Sequence, residues 1–209
     1  MKAFTDLILK EGWLPVAYAA GSAVLLAFFG FGLSAFIALV FAGLLVWNYR
    51  QPVRTVSHFD KGSITSPCDG KVAAIETDPD GSVTVAIETG CLDGSLLTVP
   101  FEGEAAYCSL TRGARLGRKS ALYERLNERG MIVFEDAGGR TVRITHTLTY
   151  TPAPLVLDSV SKNKRLLRGE RYGVLTQGLT RVHLPASTRV AVNPGESVYA
   201  TETLLGYMR

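Results

Sequence analysis

Charge is missing from one long stretch of this chain. Between Trp13 and Trp47 there is no Asp, Glu, Lys or Arg; the residues are mostly Ala, Leu, Val, Phe and Gly. Such a stretch does not belong on the surface of a soluble domain. Cysteine is scarce: Cys68, Cys91 and Cys108 are an odd number, with no Cys-x-x-Cys pair and no His at ligand spacing. That excludes a disulfide-stapled scaffold and gives no zinc signature. The three thiols read as small buried hydrophobes of a reducing compartment. Net charge is low, at +3. A strongly electrostatic nucleic-acid binder is therefore excluded. Hydrophobic residues make up 47% of the chain, which excludes disorder. There is no internal repeat and no low-complexity tract.

The uncharged stretch is 35 residues long. As one straight helix it would run about 50 Å, against a bilayer core of about 30 Å. Gly30-Phe31-Gly32 sits near its middle and is a natural break. The pattern predicts two short helices, over 13–29 and 33–47, as a transmembrane hairpin; a single tilted span is the other reading. Lys2 and Lys10 precede the stretch, and Arg50, Arg54 and Lys61 follow it. Cations at both ends place both ends in the cytoplasm. Trp13 and Trp47, with Tyr49, fall where an interfacial aromatic belt lies. The run is too long for a cleaved signal peptide. The expected division is a helical hairpin over 1–48, a linker over 49–63 and a second domain over 64–209.

Residues 49–209 hold 20 basic and 17 acidic side chains. This near balance permits a mild preference for an anionic membrane face. Short alternating or β-branched runs recur at Gly70–Ile75, Ser82–Glu88, Met131–Phe134, Thr141–Leu148, Tyr172–Leu175, Arg181–Leu184, Arg189–Val192 and Ser197–Ala200. Turn residues separate them, as in Asp78-Pro79-Asp80-Gly81, Asp93-Gly94, Gly138-Gly139 and Asn193-Pro194-Gly195. The fold class is mainly β: a barrel- or sandwich-like domain with one short helix, preceded by the helical hairpin. That helix is expected over Lys119–Arg129, where Leu122 and Leu126 stand at i, i+4 and Gly130 ends the run. Gly138-Gly139 is a hairpin turn, not a phosphate loop, since no helix follows it.

The most informative string is Ser66-Pro67-Cys68-Asp69-Gly70-Lys71-Val72. By itself it is a tight turn into a strand. Similar strings occur in lipoyl and biotinyl carriers and in membrane-fusion adaptors. Such adaptors, however, carry a long helical hairpin, and the carriers a Met-Lys-Met site, that this sequence lacks. In order along the chain come the apolar hairpin, Asn48-Tyr49-Arg50-Gln51-Pro52-Val53-Arg54, the Asp-Gly turn, Leu126–Glu135 with its Asn127-Glu128-Arg129, and Arg168-Gly169-Glu170-Arg171-Tyr172-Gly173-Val174-Leu175. In this series the chain resembles the short bacterial form of phosphatidylserine decarboxylase. That family shows Ser-Pro-Ala-Asp-Gly, Asn-Glu-Arg-Asn and Gly-Glu-Arg-Phe-Gly in the same places. The resemblance implies attachment to the bacterial inner membrane, with the β domain on the cytoplasmic side. It implies phospholipid as partner, anionic phospholipid included, together with a second copy or an enzyme of lipid metabolism.

The resemblance also implies a chemistry. Decarboxylation leaves an electron pair on carbon and needs an electron sink. The family makes a pyruvoyl group by breaking its own Gly-Ser bond, with an Asp and a His assisting. The Asp falls on Asp69. The His stretch, Val-His-Val-Asn-Arg-x-Pro, falls on Cys108–Ala114 by its Arg112, which puts Ser109 at the His. The cleavage pair falls on Gly178-Leu179, so the nucleophile position holds Leu179, which has no hydroxyl. The segment is one residue short of the family pattern, so Thr180 can slide into that place, but then it follows Leu and not Gly. The sequence thus reads as a homologue that neither cleaves itself nor forms a pyruvoyl group, with no cofactor. The alternative is an active decarboxylase cut near Gly178–Thr180, with the pyruvoyl group that implies. His146 and His183 read as structural rings on strands, and His58 as a solvated linker residue. Lys162, Lys164 and Arg165 form a basic turn that can face lipid.

Overall fold

The computed structural model describes residues 9–50, 59–60, 62–151, 153–158 and 165–208. The chain divides into two compact units, Met1–Val53 and Arg54–Arg209. The first is a pair of helices, α1 (Lys10–Phe28) and α2 (Gly32–Asn48). Gly30 takes a positive φ of 82° at the turn between them, a conformation glycine adopts without strain. The Leu9 amide donates to the Tyr49 carbonyl at 2.9 Å and joins the two ends of the hairpin. Small residues are buried within the pair: Gly12, Ala23, Ala35 and Ala42. Their size lets helices approach closely. Outward stand Leu25, Phe28, Leu33 and Phe36, all exposed. α1 is long and apolar enough to cross a membrane; α2 is apolar but has 17 residues to the 19 of α1.

The second unit is mainly β. Its elements are β1 (Ser63–Thr65), β2 (Gly70–Thr77), β3 (Val83–Thr89), β4 (Leu96–Thr98), β5 (Gly103–Thr111), α3 (Tyr123–Leu126), β6 (Arg129–Glu135), β7 (Thr141–Leu148), β8 (Val156–Leu157), β9 (Arg165–Leu166), β10 (Arg171–Val174), β11 (Gly178–Leu184), β12 (Thr188–Val190), β13 (Ser197–Val198) and β14 (Leu204–Met208). An eight-stranded sheet runs in the order β13-β2-β3-β11-β7-β6-β5-β9. Two three-stranded sheets, β1-β14-β12 and β4-β10-β8, complete the unit. The large sheet is open, with β13 and β9 at its edges, so there is no closed barrel among the described residues.

One hydrophobic core joins the three sheets. Val72, Ile87, Ile132, Ile144 and Val182 come from the large sheet. Ile64 and Leu205 come from the first small sheet, Leu97 and Tyr172 from the second. Phe134 meets both Phe101 and Tyr172 edge-on, with ring centroids 6.2 and 5.6 Å apart. Each fully buried large side chain of this kind contributes about 1.5–3 kcal/mol.

The helix expected over 119–129 shrinks to α3. Asn127 is its limit: its backbone turns extended, with ψ 148°. Its side-chain amide takes the Leu116 amide hydrogen at 3.0 Å and donates to the carbonyls of Leu116 and Leu148 at 2.7 and 2.8 Å. The neighbouring Glu128 carboxylate is buried and binds Arg112 through Oε1 and Arg115 through Oε2. It also accepts the Leu155 amide at 3.1 Å. The Asn-Glu pair thus pins three chain segments together. Glu128→Ala would leave these donors without their shared acceptor. We expect it to lower unfolding stability by about 3 kcal/mol, read as a fall in the thermal midpoint of the full chain, with Glu128→Gln costing less.

Candidate functional site

β11 lies in the middle of the large sheet and is paired along both edges, with β3 and with β7. Gly178 faces Thr89 on one side and Leu148 on the other. A side chain there would place its Cβ 2.4 Å from the Thr147 carbonyl oxygen. Close packing therefore demands this glycine, whatever its chemistry. Successive side chains of a strand point to opposite faces. Thr180 points into the core, where it is fully buried. Leu179 points to the other face and is nonetheless 3% exposed. Tyr123 of α3, itself buried, stands on that face beside Thr147 and close to Arg181 and Arg118. Two ion pairs hold the 118–124 segment across the same strands, Arg118–Glu88 at 2.6 Å and Arg181–Glu124 at 2.7 Å.

Asp69 is buried at the start of β2. One carboxylate oxygen accepts the Ala200 amide at 2.8 Å, and its backbone carbonyl accepts the Thr89 hydroxyl at 2.7 Å. The other oxygen rests on Gly94, where an added Cβ would come within 2.5 Å of it. Next in the chain is Ser95, fully buried, whose carbonyl accepts the Leu175 amide at 2.8 Å. Asp69, Gly94-Ser95, Thr89 and Gly178 are therefore neighbours.

A chain of buried polar groups runs from this cluster into the core. The Cys68 thiol meets the hydroxyls of Thr89 and Thr180, and burial pushes its pKa up to about 12. Thr180 Oγ1 is 2.9 Å from His146 Nδ1, and His146 Nε2 is 2.8 Å from the Tyr172 hydroxyl. Burial lowers the His146 pKa to about 3 and raises that of Tyr172 well above its usual value. The ring is therefore neutral, with one N–H and one lone pair to share between Thr180 and Tyr172. At pH 7 this is a set of uncharged, neighbouring groups: a thiol, two hydroxyls, an imidazole and a phenol.

The structure brings together Asp69, Gly178, Leu179 and Thr180, and leaves Ser109 apart. Ser109 lies on β5, with β6 and β7 between it and β11. Ser95 is the residue that sequence reasoning passed over. A signal for it exists, since Pro100 follows five residues later, as the Pro follows the His in the family stretch. His146, read as a structural ring, is the hydrogen-bond partner of Thr180. His183 lies on β11, with Nδ1 2.8 Å from the Thr84 hydroxyl. Cys91 is exposed, not buried as expected. It sits in the turn after β3, where no sheet covers it. In the basic turn, Arg165 pairs with Glu102 at 2.5 Å; Lys162, Lys164 and His58 lie outside the described residues.

Comparison with known proteins gives a consistent answer. Over 208 residues the chain is 31% identical to the phosphatidylserine decarboxylase proenzyme of Paraburkholderia xenovorans, covering 95% of this chain and 96% of that one. It is 29% identical to the proenzyme of the same name from Symbiobacterium thermophilum over 207 residues, covering 96% and 95%. It is 30% identical to that of Paraburkholderia phytofirmans over 208 residues, covering 95% and 96%. No family model matches the chain.

The buried imidazole has a pH consequence. Its pKa falls from 6.5 to about 3 on folding. Between those values the unfolded chain binds a proton that the folded chain does not. Stability is therefore lost as pH falls from about 6.5 toward 3, by at most about 1.4 kcal/mol per pH unit from this group. His146→Gln should flatten that part of the profile when urea midpoints are compared from pH 7 to pH 4. Equal slopes in the two proteins would count against a neutral buried His146.

Proposed function

The chain belongs to the phosphatidylserine decarboxylase proenzyme family, and from that membership we propose that it is a phospholipid-directed homologue that does not form a pyruvoyl group. One observation carries this reading: the nucleophile position of the family holds Leu179. Self-cleavage needs an oxygen or sulfur on that side chain to attack the preceding carbonyl, and a leucine has neither. The residues present thus do not fit the pyruvoyl group.

The second partner is absent as well. Ser95, placed beside Asp69 and followed by Pro100, takes the family's His position better than Ser109 does. A serine at either place cannot accept a proton near neutral pH as an imidazole can. Asp69 itself is held by Ala200 and packed on Gly94, a use that keeps the turn in shape without any catalysis. On this reading the protein keeps the fold and the lipid-directed surface and works as a binding or regulatory member of phospholipid metabolism. We place it at the inner membrane, with the β unit on the cytoplasmic side. A second copy or a lipid-metabolising enzyme is its proposed protein partner.

A second reading rests on the Thr180–His146 contact. A hydroxyl 2.9 Å from an imidazole nitrogen has the nucleophile-and-base arrangement of acyl transfer. Thr180 Oγ1 would attack the Leu179 carbonyl carbon. The Leu179–Thr180 amide would give way to an ester, with the hydroxyl proton passing to the Thr180 nitrogen. β-Elimination would release the Leu179 carboxylate as a new C-terminus and leave an enamine at residue 180, whose imine tautomer water would hydrolyse, freeing ammonia and leaving a keto acyl end one methylene larger than pyruvoyl. Against it stands the regular pairing of β11 on both edges, which offers no strained turn at the bond.

Intact mass of the purified full chain decides between them. We expect one species near 22.6 kDa, unreactive toward carbonyl reagents and carrying bound phosphatidylserine in neutral detergent. A C-terminal fragment beginning at Thr180, lost in Thr180→Val, would establish the second reading. A protein that stays whole and retains no phospholipid would overturn the first.

A further inference from the structure

Leu122 and Leu126 have the spacing of a buried helix face, yet they are 45% and 48% exposed. The turn of helix they flank buries Tyr123 instead, against the outer face of the large sheet. Two large apolar side chains one helical turn apart are thus left pointing away from the domain.

Their surroundings are cationic. Residues 112–129 carry six basic side chains against two carboxylates, Glu124 and Glu128. This excess of four exceeds the net charge of the whole chain, +3, so the remainder of the protein is slightly acidic. The carboxylates are engaged: Glu128 is buried between Arg112 and Arg115, and Glu124 pairs with Arg181. Arg118 is held by Glu88. Lys119, Arg125 and Arg129, close to the two leucines in the chain, are exposed. Arg129 donates to the Glu124 carbonyl at 3.4 Å, which fixes it beside the helical turn.

We propose that this face, Leu122 and Leu126 with Lys119, Arg125 and Arg129, is a docking surface for an anionic phospholipid bilayer. Apolar side chains projecting from a basic rim suit the boundary between headgroups and acyl chains. The concentration of positive charge suits a leaflet that bears negative lipid. The inference rests on the lipid-directed reading above and names the surface that carries it. It differs from the basic turn at 161–165, where Arg165 is paired with Glu102.

The test uses the full chain with Cys91→Ser and Leu122→Cys, labelled with an environment-sensitive dye; the same protein without Leu122→Cys gives the background from the other thiols. The protein is reconstituted in vesicles of phosphatidylcholine alone or mixed with phosphatidylglycerol. We expect a blue shift and a several-fold rise in emission in the mixed vesicles only. High salt should reverse both, as should Lys119→Glu with Arg125→Glu, two residues outside the ion pairs described above. An unchanged spectrum, or the same shift in both kinds of vesicle, would overturn the proposal. A chain that binds phosphatidylserine in detergent but shows no shift at position 122 sinks this surface alone and leaves the lipid-directed reading standing.

Discussion

Everything at the candidate site depends on β11 being paired along both edges. That pairing fixes the register of Gly178, Leu179 and Thr180 against β3 and β7 and, through strand alternation, assigns each side chain its face. Leu179 is sent to the face where Tyr123 stands beside its cross-strand partner Thr147. Thr180 is sent into the core, against His146 and Cys68. A register slip of one residue would exchange the two and put a hydroxyl on the face where α3 stands. Seven consecutive pairs with β3 and six with β7 resist such a slip. The difference between the two readings of function is therefore already a difference between two faces of one strand.

Much of the fold could be read from periodicity. The hairpin showed itself by lacking charge, and its turn by Gly30-Phe31-Gly32. Strands such as 141–148 and 181–184 showed themselves by alternation and by the turns around them. β5 did not. A bulge between Ala105 and Tyr107 breaks its alternation, so inward and outward residues no longer fall two apart. The missed strand had a consequence, since Ser109 lies on it. On β5, Ser109 is held three strands away from β11, apart from Asp69. The helix over 119–129 failed for a different reason. The side-chain amide of Asn127 bonds to three backbone groups, and that competes successfully with another helical turn.

The site was legible in its absences and illegible in its contacts. Leu179 has no hydroxyl in any structure, and that much the sequence states outright. His146 gave no such sign. Its partners Thr180 and Tyr172 lie 34 and 26 residues away, and only the pairing of β7 with β11 sets the imidazole beside the threonine. Ser95 is hidden because the family's Arg has a match at Arg112, whereas the corresponding place in the Ser95–Pro100 stretch holds Thr98. Asn127 and Glu128 teach a related lesson. They resemble a family motif, yet their contacts are those of a clamp between loops. Residues of that kind are kept by folding alone, so their presence says nothing about whether the chemistry survives.

The stretch from Arg112 to Arg129 connects these points. Its inner side places Tyr123 beside Thr147, the cross-strand partner of Leu179, and its outer side presents Leu122 and Leu126. One short helical turn thus stands on the face of β11 that carries Leu179 and lies within a stretch of six basic and two acidic side chains. Arg118–Glu88 and Arg181–Glu124 tie the segment to β3 and β11. Both pairs are largely exposed, so each holds it only weakly.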